Sequence, residues 1–279
     1  MKYLFVGGDK RQAYAAEYIR KSGECAQLAL DSAQLHSMFS DADCVVLPLP
    51  VSRDGIHINS LSDKCVITLD ELFSELKSGV IVLGGMPDKD LIDRLECKGI
   101  KLYDYYENEV LLMLNSIPTA EGVIYELIGG SDINLHGAKT LVTGYGKAAS
   151  AIAARLVALG SQVTVAARSE RDRTAALCDG CKAISLYNIS GVIGEMDFVA
   201  NTVPATVIDK SCIAVLKKSC VMVEVASAPY GIDFDAADEY GIKVIKVPSL
   251  PGRISPASAG EAIAKAVLSI VKGMVGENG

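Results

Sequence analysis

Gly144-Tyr145-Gly146-Lys147-Ala148-Ala149 is the stretch on which the fold turns. It follows a short apolar run, Lys139–Thr143, and opens a helical pattern over 148–159 that stops at Gly160. A further strand pattern, Gln162–Ala167, comes next. Strand, glycine turn, helix and strand in this order make a βαβ unit of the dinucleotide-binding kind. Gly144 permits the tight turn, Gly146 lets a pyrophosphate approach the backbone, and Ala149 lets the helix lie close on the sheet. The helix N-terminus adds N–H groups and a positive dipole end, so Tyr145, Lys147 and Ala148 belong to the same phosphate cradle.

The second strand of such a unit bears on the cofactor. An NAD site places an acid there to hold the ribose 2′-hydroxyl. This chain reads Ala167-Arg168-Ser169-Glu170-Arg171 instead. Arg168 at the strand end suits a 2′-phosphate, with a hydrogen bond from Ser169 and a second charge from Arg171 or Arg173. The expectation is NADP, with NAD as the alternative. Farther on, Asn201-Thr202-Val203-Pro204 and Ala226-Ser227-Ala228-Pro229 end two more strand patterns. Ligands of open α/β sheets sit outside the carboxyl ends of strands, so Thr202, Val203, Pro204 and Ala226 are expected around the nicotinamide.

Outward from this core, short apolar runs alternate with helical patterns along the whole chain. Strand patterns fall at 3–6, 44–49 and 80–83 in the first half and at 197–203, 220–226 and 243–247 in the second, with helices at 10–22 and 91–97. Pro118 suits the first turn of a helix, and the apolar spacing of Val123, Ile124, Leu127 and Ile128 carries that helix to Gly129-Gly130. A final helix is expected over 256–273. The fold class is α/β with two domains: a Rossmann-type doubly wound parallel sheet and a smaller N-terminal α/β domain. The N-terminal domain is expected over 1–117, joined by the C-terminal helix, and the nucleotide domain over 118–255, including a crossing helix at 118–130.

The chain has 279 residues, half of them hydrophobic, and a formal charge of −7. That balance argues against nucleic acid or an anionic membrane as the main partner. No apolar run approaches the roughly 20 residues needed to span a bilayer, and no export signal is visible, so the expected location is the cytosol. The eight cysteines, Cys65 among them, should then be reduced thiols. Cys178-Asp179-Gly180-Cys181 lacks the second ligand pair of a zinc site, and no metal is expected.

Several segments together resemble the A-subunit family of dipicolinate synthase. They are Val6-Gly7-Gly8-Asp9-Lys10-Arg11-Gln12, Asn115-Ser116-Ile117-Pro118-Thr119-Ala120-Glu121-Gly122, Asn201-Thr202-Val203-Pro204, Ala226-Ser227-Ala228-Pro229-Tyr230-Gly231-Ile232-Asp233-Phe234, and Leu250-Pro251-Gly252-Arg253-Ile254-Ser255-Pro256. They run from near residue 3 to near residue 270. The resemblance implies a sporulation enzyme of Gram-positive bacteria, at work in the mother-cell cytosol on a branch of the lysine pathway. It implies oxidation of a dihydrodipicolinate-level intermediate to pyridine-2,6-dicarboxylate, together with the flavoprotein-like B-subunit of dipicolinate synthase. A homodimer is the other assembly the reading carries. The family's turn often ends in glycine where this chain has Ala149, which the general fingerprint tolerates.

A substrate with two carboxylates needs cations and N–H donors. Arg11, after the Gly8-Asp9 turn at the start of a helix, is the first candidate for a carboxylate clamp and for a catalytic role. Ser116 and Thr119, expected at the N-terminus of the crossing helix, either bind a carboxylate or cap the helix. Arg253 is a second clamp. Glu121, near the expected interdomain cleft, is the candidate general base. Two other readings stand beside the dehydrogenase: a non-catalytic cofactor-binding or scaffold subunit of the same complex, and an NADP-dependent dehydrogenase of another small acid. The absence of any histidine after His136 counts against a 2-hydroxy acid enzyme of the His–acid type.

Overall fold

A computed structural model describes residues 1–60 and 66–277, with side chains through residue 274. The elements follow in the order β1 (Lys2–Val6), α1 (Lys10–Lys21), β2 (Cys25–Ala29), α2 (Ser32–Phe39), β3 (Cys44–Val46), α3 (Leu69–Glu75), β4 (Ile81–Gly84), α4 (Lys89–Glu96), β5 (Leu102–Asp104) and α5 (Glu109–Gly130). Next come β6 (Lys139–Thr143), α6 (Lys147–Ala158), β7 (Gln162–Ala167), α7 (Glu170–Cys178), β8 (Lys182–Ser185), β9 (Phe198–Asn201), α8 (Lys210–Ala214), β10 (Val221–Glu224), α9 (Phe234–Tyr240), β11 (Lys243–Lys246), α10 (Leu250–Ile254) and α11 (Pro256–Glu277). The chain divides into two compact units, one of Met1–Asn115 with Ser255–Gly279 and one of Ser116–Ile254.

The first unit holds a five-stranded sheet in the order β2-β1-β3-β4-β5, every pairing parallel. Two apolar clusters cover its faces. One gathers Phe5, Ile19, Val46 and Leu83 with Ile263 and Val267 of α11. The other gathers Leu4, Val45, Leu72 and Leu95. α1 starts at Asp9, whose carboxylate accepts the Arg11 N–H at 2.9 Å and caps the first turn. β1 ends in Gly7 and Gly8, both at positive φ, and a methyl on Gly8 would lie 2.2 Å from Gln12 Cγ. The strand order reverses between β1 and β3, so this turn occupies a switch point.

Close packing of α1 on α11 depends on Gly260, where a Cβ would come within 2.6 Å of the Arg11 carbonyl oxygen and 2.7 Å of Tyr14 Cβ. Gly260→Ala is therefore expected to cost about 1–3 kcal/mol through overpacking. Gly273, in the same helix, has nothing within 4 Å of its virtual Cβ. Alanine there should stabilise by up to about 1 kcal/mol through helix propensity. Thermal denaturation of the two variants checks the pair, and equal melting temperatures would contradict it.

The second unit holds a six-stranded sheet in the order β11-β10-β9-β6-β7-β8, again all parallel. This is the doubly wound dinucleotide-binding order, with its switch point between β6 and β9. Apolar clusters cover both faces, one around Val142, Ile152, Val165 and Val223, the other around Leu141, Val199, Met222 and Ile213. The expected fold class is thus the one the chain adopts.

The crossing helix departs from expectation. Expected to begin at Pro118, it begins nine residues earlier, at Glu109, and holds Pro118 in its interior. Asn108 starts it, accepting the Leu111 N–H at 3.1 Å through its side chain. The Glu109–Leu114 segment consists largely of residues that favour helix, and its Leu111 is fully buried. That burial outweighs the hydrogen bond forfeited at proline. Ser116 and Thr119 consequently lie inside α5 and not at its N-terminus. The apolar run at 44–49 is strand only through Val46, continuing as a buried loop into the cis Leu49–Pro50 bond.

Candidate functional site

The glycine turn stands at the carboxyl end of β6. Gly144 takes φ +80°, and a Cβ there would lie 2.8 Å from Thr202 Oγ1 and 3.3 Å from Val203 Cγ2. Gly146 is the N-cap of α6, supplies no side-chain cap, and has open space within 4 Å of its virtual Cβ. Ala149 is buried against the sheet, where a larger residue would lift the helix. A helix N-terminus left open on its capping side and faced by a small-residue turn fits a pyrophosphate. Lys147 and Ala148 form the first turn of α6, and the Tyr145 hydroxyl donates to Asp179 at 2.6 Å, tying the turn to the α7–β8 loop.

At the end of β7, Arg168 is exposed and Ser169 is the N-cap of α7, accepting the Asp172 N–H at 3.0 Å. Arg171 lies exposed in the first turn of the same helix. Arg173 turns back, donating from Nη1 to the carbonyls of Ala167 at 3.1 Å and Arg168 at 2.7 Å. It braces the loop, while Arg168 makes no hydrogen bond or ion pair through its guanidinium among the described residues.

Thr202, Val203 and Pro204 follow β9 and Ala226 follows β10, with Thr202 and Val203 against Gly144 of the turn. Behind them lies a buried polar cluster that sequence reading overlooked. Glu224, 2% exposed, accepts Asn201 Nδ2 at 2.6 Å and the Ala226 N–H at 3.0 Å on Oε1. Its Oε2 accepts the N–H groups of Gly231 at 2.9 Å and Ile232 at 3.0 Å. Asn201 Nδ2 also donates to the Val203 carbonyl at 3.0 Å, and Asn201 Oδ1 accepts the Thr143 hydroxyl and the Val203 N–H at 3.3 Å. Thr143 Oγ1 in turn accepts the Thr202 N–H at 3.2 Å, and the Thr202 hydroxyl donates to the Thr143 carbonyl at 2.7 Å. The available signal was one charged residue inside the apolar run Val221-Met222-Val223-Glu224-Val225.

The residues expected to hold substrate are divided between the units. Gly8, Asp9 and Arg11 belong to the first; Ser116, Thr119, Glu121 and Arg253 belong to the second. Arg11 is buried and largely committed. Nε and Nη2 fork onto the Asp9 carboxylate at 2.8–3.0 Å, and Nη2 also donates to the Leu49 carbonyl at 2.7 Å. Only Nη1 lacks a partner among the described residues. Ser116 and Thr119 are half-buried on α5. Glu121 is exposed there without an ion pair among the described residues. Arg253 pairs with Glu126 at 3.2 Å. No group of three or more potential metal ligands occurs among the described residues. Seven cysteines are free thiols, and Cys65 lies outside the described residues. No described helix is long and apolar enough to cross a membrane.

Two family models match the chain. Residues 2–106 match the family model of the N-terminal domain of the dipicolinate synthase A-subunit, and residues 115–266 match that of the S-adenosyl-L-homocysteine hydrolase NAD binding domain. The dipicolinate synthase A-subunit of Bacillus subtilis (strain 168) is 26% identical over 295 residues, spanning 100% of this chain and 98% of that protein. The crystal structure of the dipicolinate synthase A-subunit from Bacillus halodurans superimposes with a TM-score of 0.87 at 26% identity, covering 96% of this chain and 97% of the other. A D-lactate dehydrogenase of Salmonella shares the fold alone, with a TM-score of 0.67 at 14% identity over 96% of each chain.

Proposed function

We propose that this chain, which belongs over residues 2–106 to the N-terminal domain family of the dipicolinate synthase A-subunit and over residues 115–266 to the NAD-binding domain family of S-adenosyl-L-homocysteine hydrolase, oxidises a dihydropyridine-2,6-dicarboxylate to dipicolinate with NADP. The observation that carries the reading is the open α6 N-terminus behind the positive-φ Gly144, at the switch point of the second sheet. The full-length likeness to the Bacillus subtilis protein directs it toward this substrate.

The nicotinamide cofactor, when bound, supplies the hydride acceptor. Removing a hydride and a proton from the dihydropyridine leaves an aromatic ring, and aromatisation provides most of the driving force. The protein's part is then orientation and one proton. Gly144, Tyr145, Gly146, Lys147 and Ala148 would hold the pyrophosphate, and Arg168, Ser169 and Arg171 the adenosine 2′-phosphate. Thr202, Val203, Pro204 and Ala226 would border the nicotinamide. NADP is favoured over NAD because Arg168 follows β7, where an NAD site carries an acid.

For the substrate, we assign carboxylate binding to Gly8, Asp9 and Arg11 in the first unit and to Ser116, Thr119 and Arg253 in the second. Arg11 contributes through Nη1 and Asp9 through its backbone N–H, with Gly8 shaping the turn, since the Gly8 N–H already donates to the Asn59 carbonyl at 2.7 Å and the Asp9 carboxylate already neutralises most of the guanidinium. Glu121, exposed and without an ion pair among the described residues, is the group assigned to accept the proton. The chain works with the flavoprotein-like B-subunit, in the cytosol of the sporulating cell.

The test is to mix the purified chain with NADP⁺ and the product of a dihydrodipicolinate-forming synthase, with and without the flavoprotein-like partner. Dipicolinate absorbance should rise in step with NADPH. Dipicolinate formed equally well without any nicotinamide nucleotide would overturn the dehydrogenase reading in favour of a scaffold role.

A further inference from the structure

Resting on the nicotinamide site just proposed, we infer that Glu224 is a positioning residue whose carboxylate sets the two loops bordering the nicotinamide half of that site, leaving the adenosine half untouched. The cluster around it has one consistent arrangement of donors and acceptors. All four partners of Glu224 are N–H donors: Asn201 Nδ2 and the backbones of Ala226, Gly231 and Ile232. A carboxylate is the side-chain group that accepts at both oxygens without donating at either. Its acceptor character fixes the orientation of the Asn201 amide. That amide in turn fixes the direction of the Thr143 hydroxyl, and Thr143 Oγ1 is left to accept from the Thr202 backbone. One buried charge therefore ties both Thr202-Val203 and Ala226–Ile232 to the ends of β6, β9 and β10.

Two further observations show how tightly these loops are drawn in. A Cβ on Gly231 would lie 2.4 Å from both Asn201 Nδ2 and the Val203 carbonyl oxygen, so no side chain fits where the second loop closes over the cluster. A Cβ on Gly144 would lie 2.8 Å from Thr202 Oγ1, so the first loop packs directly against the glycine turn. The end of β7, with Arg168 and Ser169, has no hydrogen bond to any member of the cluster among the described residues.

Glu224→Gln is consequently not conservative. Either orientation of the glutamine points its NH₂ at two N–H donors. Three of the four are backbone groups that cannot turn away, and Asn201 cannot flip without losing Val203 and Thr143. Thr143→Val tests the same cluster at its far end. It keeps the shape and strand preference of the residue while removing a hydroxyl in a position of zero exposure. It also stays folded if the charge-neutral variant does not.

The experiment measures affinity for NADPH and for 2′,5′-ADP, which carries the adenosine half alone, in the wild-type chain and both variants. It also records the emission spectrum of bound NADPH, which reports the surroundings of the nicotinamide. Both variants should bind 2′,5′-ADP within about two-fold of wild type, while NADPH affinity falls about ten-fold, the size of about one net hydrogen bond. The emission should shift toward that of free NADPH. Equal losses for NADPH and 2′,5′-ADP, or no loss for either, would overturn the assignment. A wild-type chain that binds neither would instead remove the nicotinamide site, and this inference with it.

Discussion

Gly144→Val is expected to reduce NADPH binding by at least about a hundred-fold, or about 2.7 kcal/mol, while leaving the sheet folded. Two costs combine. The residue sits at φ +80°, a region a β-branched side chain adopts only under strain of about 1–3 kcal/mol. Its first carbon would also fall 2.8 Å from Thr202 Oγ1, a hydroxyl held by the Thr143 carbonyl at 2.7 Å. Relief requires the turn to move outward, into the space where the pyrophosphate must meet the α6 N-terminus. β6 pairs on both sides, with β7 and β9, so the strand itself has little freedom to follow. NADPH fluorescence titration measures the loss, and circular dichroism checks the fold. Binding within three-fold of wild type, in a folded variant, would show that the turn does not carry the nucleotide.

Arg168→Asp is expected to reverse cofactor preference. The guanidinium is exposed, stands just past the end of β7 and is not tied up by another side chain among the described residues. A phosphate dianion beside it gains charge-assisted hydrogen bonds worth about 1.5–3 kcal/mol. Aspartate removes these and adds repulsion, so NADPH affinity should fall about a hundred-fold or more. The same carboxylate can accept from a ribose 2′-hydroxyl, so NADH affinity should hold or rise. Ser169 caps α7 through its side-chain oxygen and remains available to either cofactor. Equal losses for NADPH and NADH would show that Arg168 does not read the 2′-phosphate.

The second unit is legible in the sequence because its signals are local. β6, the Gly144 turn and β7 are neighbours in the chain, and these two strands are short apolar runs buried on both faces, whereas β8, exposed or half-buried throughout at the sheet edge, lies outside every expected strand. The first unit is less so. β2 alternates exposed and buried residues at a sheet edge, with Cys25 and Gln27 exposed, and β5 is three half-buried residues. Neither presents the apolar run that marks a central strand. α5 misled for a different reason: Pro118 imitates a helix start, while the true start at Asn108 depends on burial of Leu111, which only the tertiary fold supplies. The Glu224 cluster was beyond reach because Asn201 and Glu224 lie 23 residues apart and Thr143 and Asn201 lie 58 apart. Only the strand order brings them together. Arg11 is the converse case. Asp9 stands two residues before it, and that spacing alone could have warned that the guanidinium would be spent on its neighbour.

The central claim is that the open end of α6, beside Gly144, grips a dinucleotide carrying a 2′-phosphate. Titration calorimetry of the purified wild-type chain with NADPH, NADP⁺ and NADH tests it directly. Saturable binding at one site per chain is predicted, tighter for the two phosphorylated cofactors than for NADH. A folded chain that gives no heat with any of the three would contradict it.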